Sequence, residues 1–336
     1  MTPIKTERKI IKKETSQIYP VMIIAFILIF LSNCIALEPL LIIMKEGEIY
    51  KKAVEGLSGE LSGEFSINKL ILEENTSEEE IITKIIRIKP KLVVLMDNKA
   101  ISLFKKYQSQ VMDTLHIIPS VSLMSVFVEG AISDLKNATG ISFEIPVVTS
   151  VANLKLLLTT SIRKVGAVHR EFLTGFLEKN KDDCKNENIE LITYPISDKK
   201  SKLKSNLRKG LKEIIKKHKI DVLWIPNDNV ILHQSLIQEV WLPTQRRYRI
   251  PVIVGAKILV DPKIDLGSFA VLPDYESLGI QAAEIIYGIK DNNWNIESKS
   301  IPPPLSVYKI VNLRHVKKKY FDIDMASLEN IDEQVE

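Results

Sequence analysis

The chain has 336 residues with 46 Lys+Arg against 42 Asp+Glu and two cysteines. That length exceeds one ordinary core and points to two domains, while Cys34 and Cys184 alone exclude a disulfide framework. The net charge of +4 falls to +1 without residues 1–36, so the balance gives no case for nucleic acid.

The N-terminus carries Lys5, Arg8, Lys9, Lys12 and Lys13 against Glu7 and Glu14, and Ile18–Leu31 holds no charge. A basic stretch before an apolar core of about 7–15 residues is the pattern of a secretory signal, whereas a spanning helix needs about 20. Three fates stay open. Cys34-Ile-Ala36 places small residues where a signal peptidase cuts after Ala36. Leu31-Ser-Asn-Cys34 resembles a lipobox that would lipidate Cys34, although Asn33 stands where Gly or Ala is usual. The long basic stretch also suits an uncleaved anchor. Export, to the periplasm or to a membrane-anchored position, is expected in each case, with membrane contact only through this segment or a lipid.

The body alternates strands and helices. Leu40–Met44 is a continuous apolar run, as in a parallel strand covered on both faces. Ile49, Ala53, Val54, Leu57 and Leu61 follow at helical spacing. Ser77-Glu-Glu-Glu80 reads as a capping box opening a helix that Lys89-Pro90 ends. Further strands are predicted at Leu92–Met96, Ile117–Val121, Val165–Val168, Leu191–Ile196, Val222–Ile225, Pro251–Val254 and Phe269–Leu272. Helices are predicted at Val151–Ser161, Leu207–His218 and Tyr275–Ile289. The Lys-rich run 199–219 reads as a solvated helix face. The alternation predicts α/β architecture, two doubly wound parallel-sheet lobes with a cleft, and a seam near Gly140–Val148.

Ligands of open parallel sheets sit beyond the carboxyl ends of the strands. The residues there are Lys45-Glu46, Asp97-Asn98, His169-Arg170-Glu171, Asn227-Asp228-Asn229, Lys257 and Asp274-Tyr275. They supply carboxylates, cations and an aromatic face for a small polar ligand; each residue alone also fits a helix cap or turn. No nucleophile elbow, P-loop, dinucleotide fingerprint or zincin motif occurs, and the five histidines lack metal-ligand spacing. Cys184 lies in a polar stretch read as a surface loop and as an ordinary thiol. Trp224 and Trp241 are expected in the core. The reading is therefore non-enzymatic, without cofactor or metal.

Asn137-Ala-Thr-Gly-Ile-Ser142 resembles the N-x-T-G-[VI]-S segment of the ABC-transporter substrate-binding family that includes tryptophan-binding TrpX-type proteins. Matches follow in order at Arg163–Val168, Asp221–Asn229, Ile250–Gly255, Pro273–Ala283 and Ile310–Leu313. The resemblance covers about residues 137–315 and implies a type I periplasmic-binding-protein fold, whose two lobes are joined by a three-crossover hinge. It implies an N-terminal lobe of 37–145 plus 274–298, a C-terminal lobe of 146–273 plus 299–320, and a tail 321–336, after the export segment 1–36. It further implies that Asn227, Asp228, Asn229, the residues after Val168 and Gly255, Asp274 and Tyr275 meet the ligand; with the strand-end reading the expected ligand-binding set is Asp97, Asn98, His169, Asn227, Asp228, Asn229, Lys257, Asp274 and Tyr275. Asp97-Asn98 stands where members carry a Gly-Ser/Thr turn, and a carboxylate at Asp97 would repel that of an amino acid.

The expected function is the exported solute-binding component of an ABC importer, taking a small polar or amino-acid-like ligand and working with a permease and an ATPase. The alternative is an anchored ligand-sensing or surface interaction protein with a degenerate cleft. A cytoplasmic transcription regulator of this fold would need an N-terminal DNA-binding motif, which the uncharged Ile18–Leu31 cannot supply.

Overall fold

The computed structural model describes residues 37–110, 117–297 and 300–336. The expected export segment 1–36, including Cys34, lies outside the described residues. Twelve strands form two sheets among them. The first has the order β2-β1-β3-β4-β5 and the second β12-β11-β10-β9-β8-β6-β7.

In the first sheet β1 is Glu38–Lys45, β2 Phe65–Leu72, β3 Leu92–Met96, β4 Ser120–Leu123 and β5 Ala138–Gly140. All its pairs are parallel. Leu40–Ile43 and Leu92–Met96 are wholly buried, as continuous apolar runs require when helices cover both faces. β2 escapes a reading by apolar runs because it is an edge strand, with only Phe65 and Leu72 buried. β4 begins three residues beyond the predicted Ile117. Pro119 has no amide hydrogen and joins the ladder through its carbonyl alone, accepting from Val93 N–H at 3.0 Å; donation begins with Ser120 N–H to the Asn137 carbonyl at 3.0 Å. Helix α1 is Glu48–Leu61, α2 Glu78–Ile88 and α3 Asn98–Gln110. The capping box of α2 forms as the sequence predicts, and left-handed Lys89 (φ 52°) closes the helix.

The second sheet begins after helix α4, Val147–Leu157. Its strands are β6 Lys164–Arg170, β7 Glu190–Ile196, β8 Val222–Ile225, β9 Val252–Val254, β10 Phe269–Pro273, β11 Val307–Asn312 and β12 Glu333–Val335. Only β10 and β11 pair antiparallel among the described strands. Helix α5, Thr174–Asn186, replaces the surface loop expected around Cys184. Leu177 and Cys184 are its apolar stripe, and the charged residues between them face water. Cys184 is fully buried and burial pushes its thiol up to about 11, which leaves it inert at neutral pH. Trp241 is 1% exposed and Trp224 6%, both in the core. Helix α6, Lys200–Lys212, continues in a π-turn, Glu213–Lys217, and α7 is Leu242–Tyr248.

The chain crosses between sheets three times: after β5, after β10, and before β11. Helix α8, Tyr275–Asp291, thereby returns to the first lobe and packs on α1. Their backbones touch. A Cβ added at Gly279 would stand 2.0 Å from the Ala53 carbonyl oxygen, and one at Gly56 2.1 Å from that of Glu276. The three crossovers are tied side by side, with Ser142 N–H donating to Pro302 O at 2.9 Å and Asp274 N–H to Ser306 O at 3.1 Å. Residues 321–336, expected as a tail, lie on the second lobe; Phe321 is buried and β12 pairs with β11.

Candidate functional site

Residues that follow β1 and β4 meet residues that follow β8, β9 and β10 around a cavity of about 760 Å³. This is the carboxyl-end crevice of both sheets. The first lobe and crossovers contribute Ile49, Val126, Phe143 and Tyr275, an apolar and aromatic wall. Phe143 and Tyr275 stack with centroids 6.5 Å apart and planes 19° from parallel. The second lobe contributes amides from Asn227, Asn229, Gln234 and Gln238, and ammonium groups from Lys257 and Lys263. Among the described residues no Asp or Glu lines the cavity.

Four of the nine predicted residues line this space: Asn227, Asn229, Lys257 and Tyr275. Asn227 is fixed by donating its Nδ2 to the Gly255 carbonyl at 3.0 Å. Gly255 is glycine for a steric reason, since an added Cβ would stand 2.5 Å from that same nitrogen. Asn229 is exposed at the next turn. Lys257 pairs with Glu333 Oε2 at 2.7 Å, a contact that raises its pKa. Burial raises the Tyr275 phenol.

The other five are not among the cavity-lining residues and are committed to the protein's own structure. Asp97 caps α3, accepting from Ala100 N–H at 2.8 Å, and pairs with Lys45 Nζ at 2.7 Å. Its φ of 114° is a conformation that favours glycine, the residue that the family resemblance expects there. Asn98 clamps the loop after β4, donating to Val126 O and accepting from Val126 N–H, both at 2.9 Å. His169 is 1% exposed, its Nδ1 is 2.9 Å from the Arg170 carbonyl, and burial lowers its pKa. Asp228 receives Arg170 bidentately, from Nε at 2.6 Å and Nη2 at 2.8 Å. Asp274 caps α8 through Ser277 and accepts from Ser306 Oγ at 3.3 Å, so it braces two crossovers.

The cleft on the β6 side is occupied by the protein itself. Phe127, held at φ 53°, reaches from the first lobe to Phe172 and Phe176 of the second, with centroids 5.2 and 6.5 Å away. Its N–H donates to Glu144 Oε1 at 2.9 Å, and burial raises that carboxyl's pKa. The Arg170 guanidinium lies 4.5 Å over Phe172, and Phe176 stacks on Trp224. Lys179 and Glu129 pair across the lobes at 3.3 Å. Residue-by-residue reading missed Phe143 and Phe127. The available signal was an aromatic within a Gly- and Pro-bounded crossover for Phe143, and an aromatic shortly after a strand for Phe127.

No protein-family model matches the chain, and no curated protein sequence is significantly similar to it. Solved structures do match. A ligand-free, open substrate-binding protein with adhesive properties from Clostridium difficile aligns with a TM-score of 0.62 at 16% identity, over 89% of this chain and all of that one. An ABC domain from Streptococcus pneumoniae in complex with L-Trp aligns at 0.53 and 17% identity, over 88% of this chain and 100% of that one. A conserved domain protein from Vibrio cholerae gives 0.53 and 16%, over 88% and 99%. The fold is that of the type I periplasmic binding proteins. The cavity described above occupies the inter-lobe cleft of the periplasmic-binding-protein fold. Among the described residues no helix is long and apolar enough to cross a membrane, and no group of three or more metal-ligating side chains occurs.

Proposed function

We propose that this protein is the exported solute-binding component of an ABC importer and that it captures an organic anion with a flat apolar body. The observation that carries the reading is the make-up of the 760 Å³ cavity, which has stacked Phe143 and Tyr275 on one side, amides and two lysines on the other, and no acid. A ring placed against the aromatic wall gains burial and stacking, and a carboxylate on it meets Lys263, the amides and Lys257, whose ammonium it would share with Glu333. An ammonium finds no carboxylate in the lining, because Asp97, Asp228 and Asp274 are bound within the protein. Lobe closure would trap the ligand for a permease and ATPase, with the open-to-closed population shift set by the ligand's preference for the closed form. Export rests on Ile18–Leu31, followed by cleavage at Ala36, lipidation at Cys34 or retention as an anchor.

A thermal-shift screen of the purified chain against aromatic carboxylates, amino acids, nucleosides and sugars tests the reading. At 100 times its dissociation constant a ligand stabilises by about 2.7 kcal/mol. An aromatic amino acid should bind no better than its deaminated analogue. Lys257→Ala and Asn229→Ala should each weaken binding about tenfold, the value of one charge-assisted hydrogen bond. Silence across the library would overturn the proposal. It would favour a surface interaction protein with a degenerate cleft, a reading that the occupied β6 side also supports.

A further inference from the structure

Residues 199–219 hold nine lysines and Arg208 against one acid, Glu213. Leu203, Leu207, Leu211 and Ile214 are buried against the second sheet, which turns the cations outward. Arg208, Lys212 and Lys216 recur every four residues, so they stack along one face of the α6–π-turn helix. Arg247 and Tyr248 of α7 face them, and together these residues line a groove of about 410 Å³. Two cations lie over the Tyr248 ring, Lys216 Nζ 6.0 Å from its centroid and the Arg247 guanidinium 5.6 Å. Glu239 is the groove's one acid. It is taken by Lys204, and its backbone carbonyl accepts from Arg208 Nη2 at 3.1 Å. Among the described residues no carboxylate pairs with Lys212, Lys216 or Arg247.

An ordinary solvated face spreads its cations and intersperses acids. Here four converge on a concavity, at spacings where like charges destabilise a helix, with an aromatic floor and no free counter-charge. The groove opens on a different side from the cavity: Glu239, Val240 and Pro243 of the helical stretch 234–248 line the groove, while Gln238 and Leu242 of the same stretch line the cavity. We propose that this groove is a second ligand site, one that takes a small solute bearing two or more phosphate groups. Two guanidiniums can fork onto phosphate oxygens while the lysines neutralise the remaining charge, and the volume suits a small molecule. Anionic lipid headgroups share the phosphate chemistry, so the test separates the two sources.

Tripolyphosphate is titrated calorimetrically into the purified chain, and phosphatidylglycerol vesicles are tested in parallel by co-sedimentation. Saturable binding of one tripolyphosphate per chain, weakening as salt screens the charges, is expected. Lys212→Ala should weaken it about tenfold, and Lys212→Ala with Arg247→Ala about a hundredfold. Lys202→Ala, on the same helix outside the groove, should leave the affinity unchanged. The unliganded double variant should melt at the same temperature or higher, because like-charge repulsion is relieved; this separates loss of binding from loss of fold. No saturable binding, an unchanged affinity in the double variant, or binding to vesicles alone would overturn the proposal.

Discussion

On the β6 side of the cleft, Arg170 and Asp228 close on each other, and Phe127 from the first lobe rests against Phe172 and Phe176. On the β9 side, Asn229 borders an open cavity and Tyr275 stacks on Phe143. Both sides are made of polar and aromatic residues just past strand ends. What separates them is partnership. A carboxylate 1% exposed must be paired inside the protein, whereas an exposed amide leaves its hydrogen bonds for a solute.

Asp228→Ala breaks the comparison most directly. It strands the Arg170 guanidinium with Asp198 alone and removes the acceptor of Val230 N–H, so a loss of about 3 kcal/mol in urea unfolding is expected. Cavity-ligand affinity should hold. Intact stability with lost affinity would instead move Asp228 into the binding set.

Acid sets the window in which the two sides can be compared. His315 is fully buried, with Nδ1 2.9 Å from Ser268 Oγ and Nε2 3.3 Å from Asp265 Oδ1. Burial lowers its pKa from 6.5 to about 4, outweighing the attraction of Asp265. The unfolded chain therefore takes up a proton that the folded one refuses. Stability is full above pH 6.5 and should fall by about 2 to 3 kcal/mol as pH drops towards 4. His315→Gln should flatten that slope in pH-dependent melting curves; an unchanged slope would assign it to other groups.

Phe127→Ala sharpens the comparison from the first lobe. It deletes two aromatic contacts across the cleft, which predicts about 1 to 2 kcal/mol of lost stability and a larger radius of gyration in X-ray scattering as the lobes part. An unchanged radius would show that Phe127 does not hold them together. The smallest effect is expected at Asp97. Asp97→Gly relieves the positive φ but deletes a cap and the Lys45 pair, so the net change should stay within about 1 kcal/mol.

Much of the fold was legible because buried parallel strands are written as apolar runs: Leu92–Met96 and Val222–Ile225 match the observed strands end to end. β2 was not legible, since an edge strand buries little, and α5 was hidden because its charged face outweighs Leu177 and Cys184 in composition. The candidate site was legible as a place rather than as a list. Strand ends located the cleft, but sequence spacing cannot say which polar group finds an internal partner. Asp228 and Asn229 are neighbours in the chain; the former is held by Arg170 and the latter faces the cavity.

The bare backbone contact of Gly56 and Gly279 bears on the order in which the molecule can be made. Leu278, Ala282, Ala283 and Ile286 complete the core that Leu40, Ile42 and Val94 begin, so the first lobe spans nearly 250 positions of sequence between its earliest and latest parts. Contacts that distant form slowly, because a long loop must close before they stabilise anything. During synthesis the second lobe can finish its central strands while the first still lacks a helix. Neither lobe closes until the end of the chain is made, since the second waits in turn for β11 and β12.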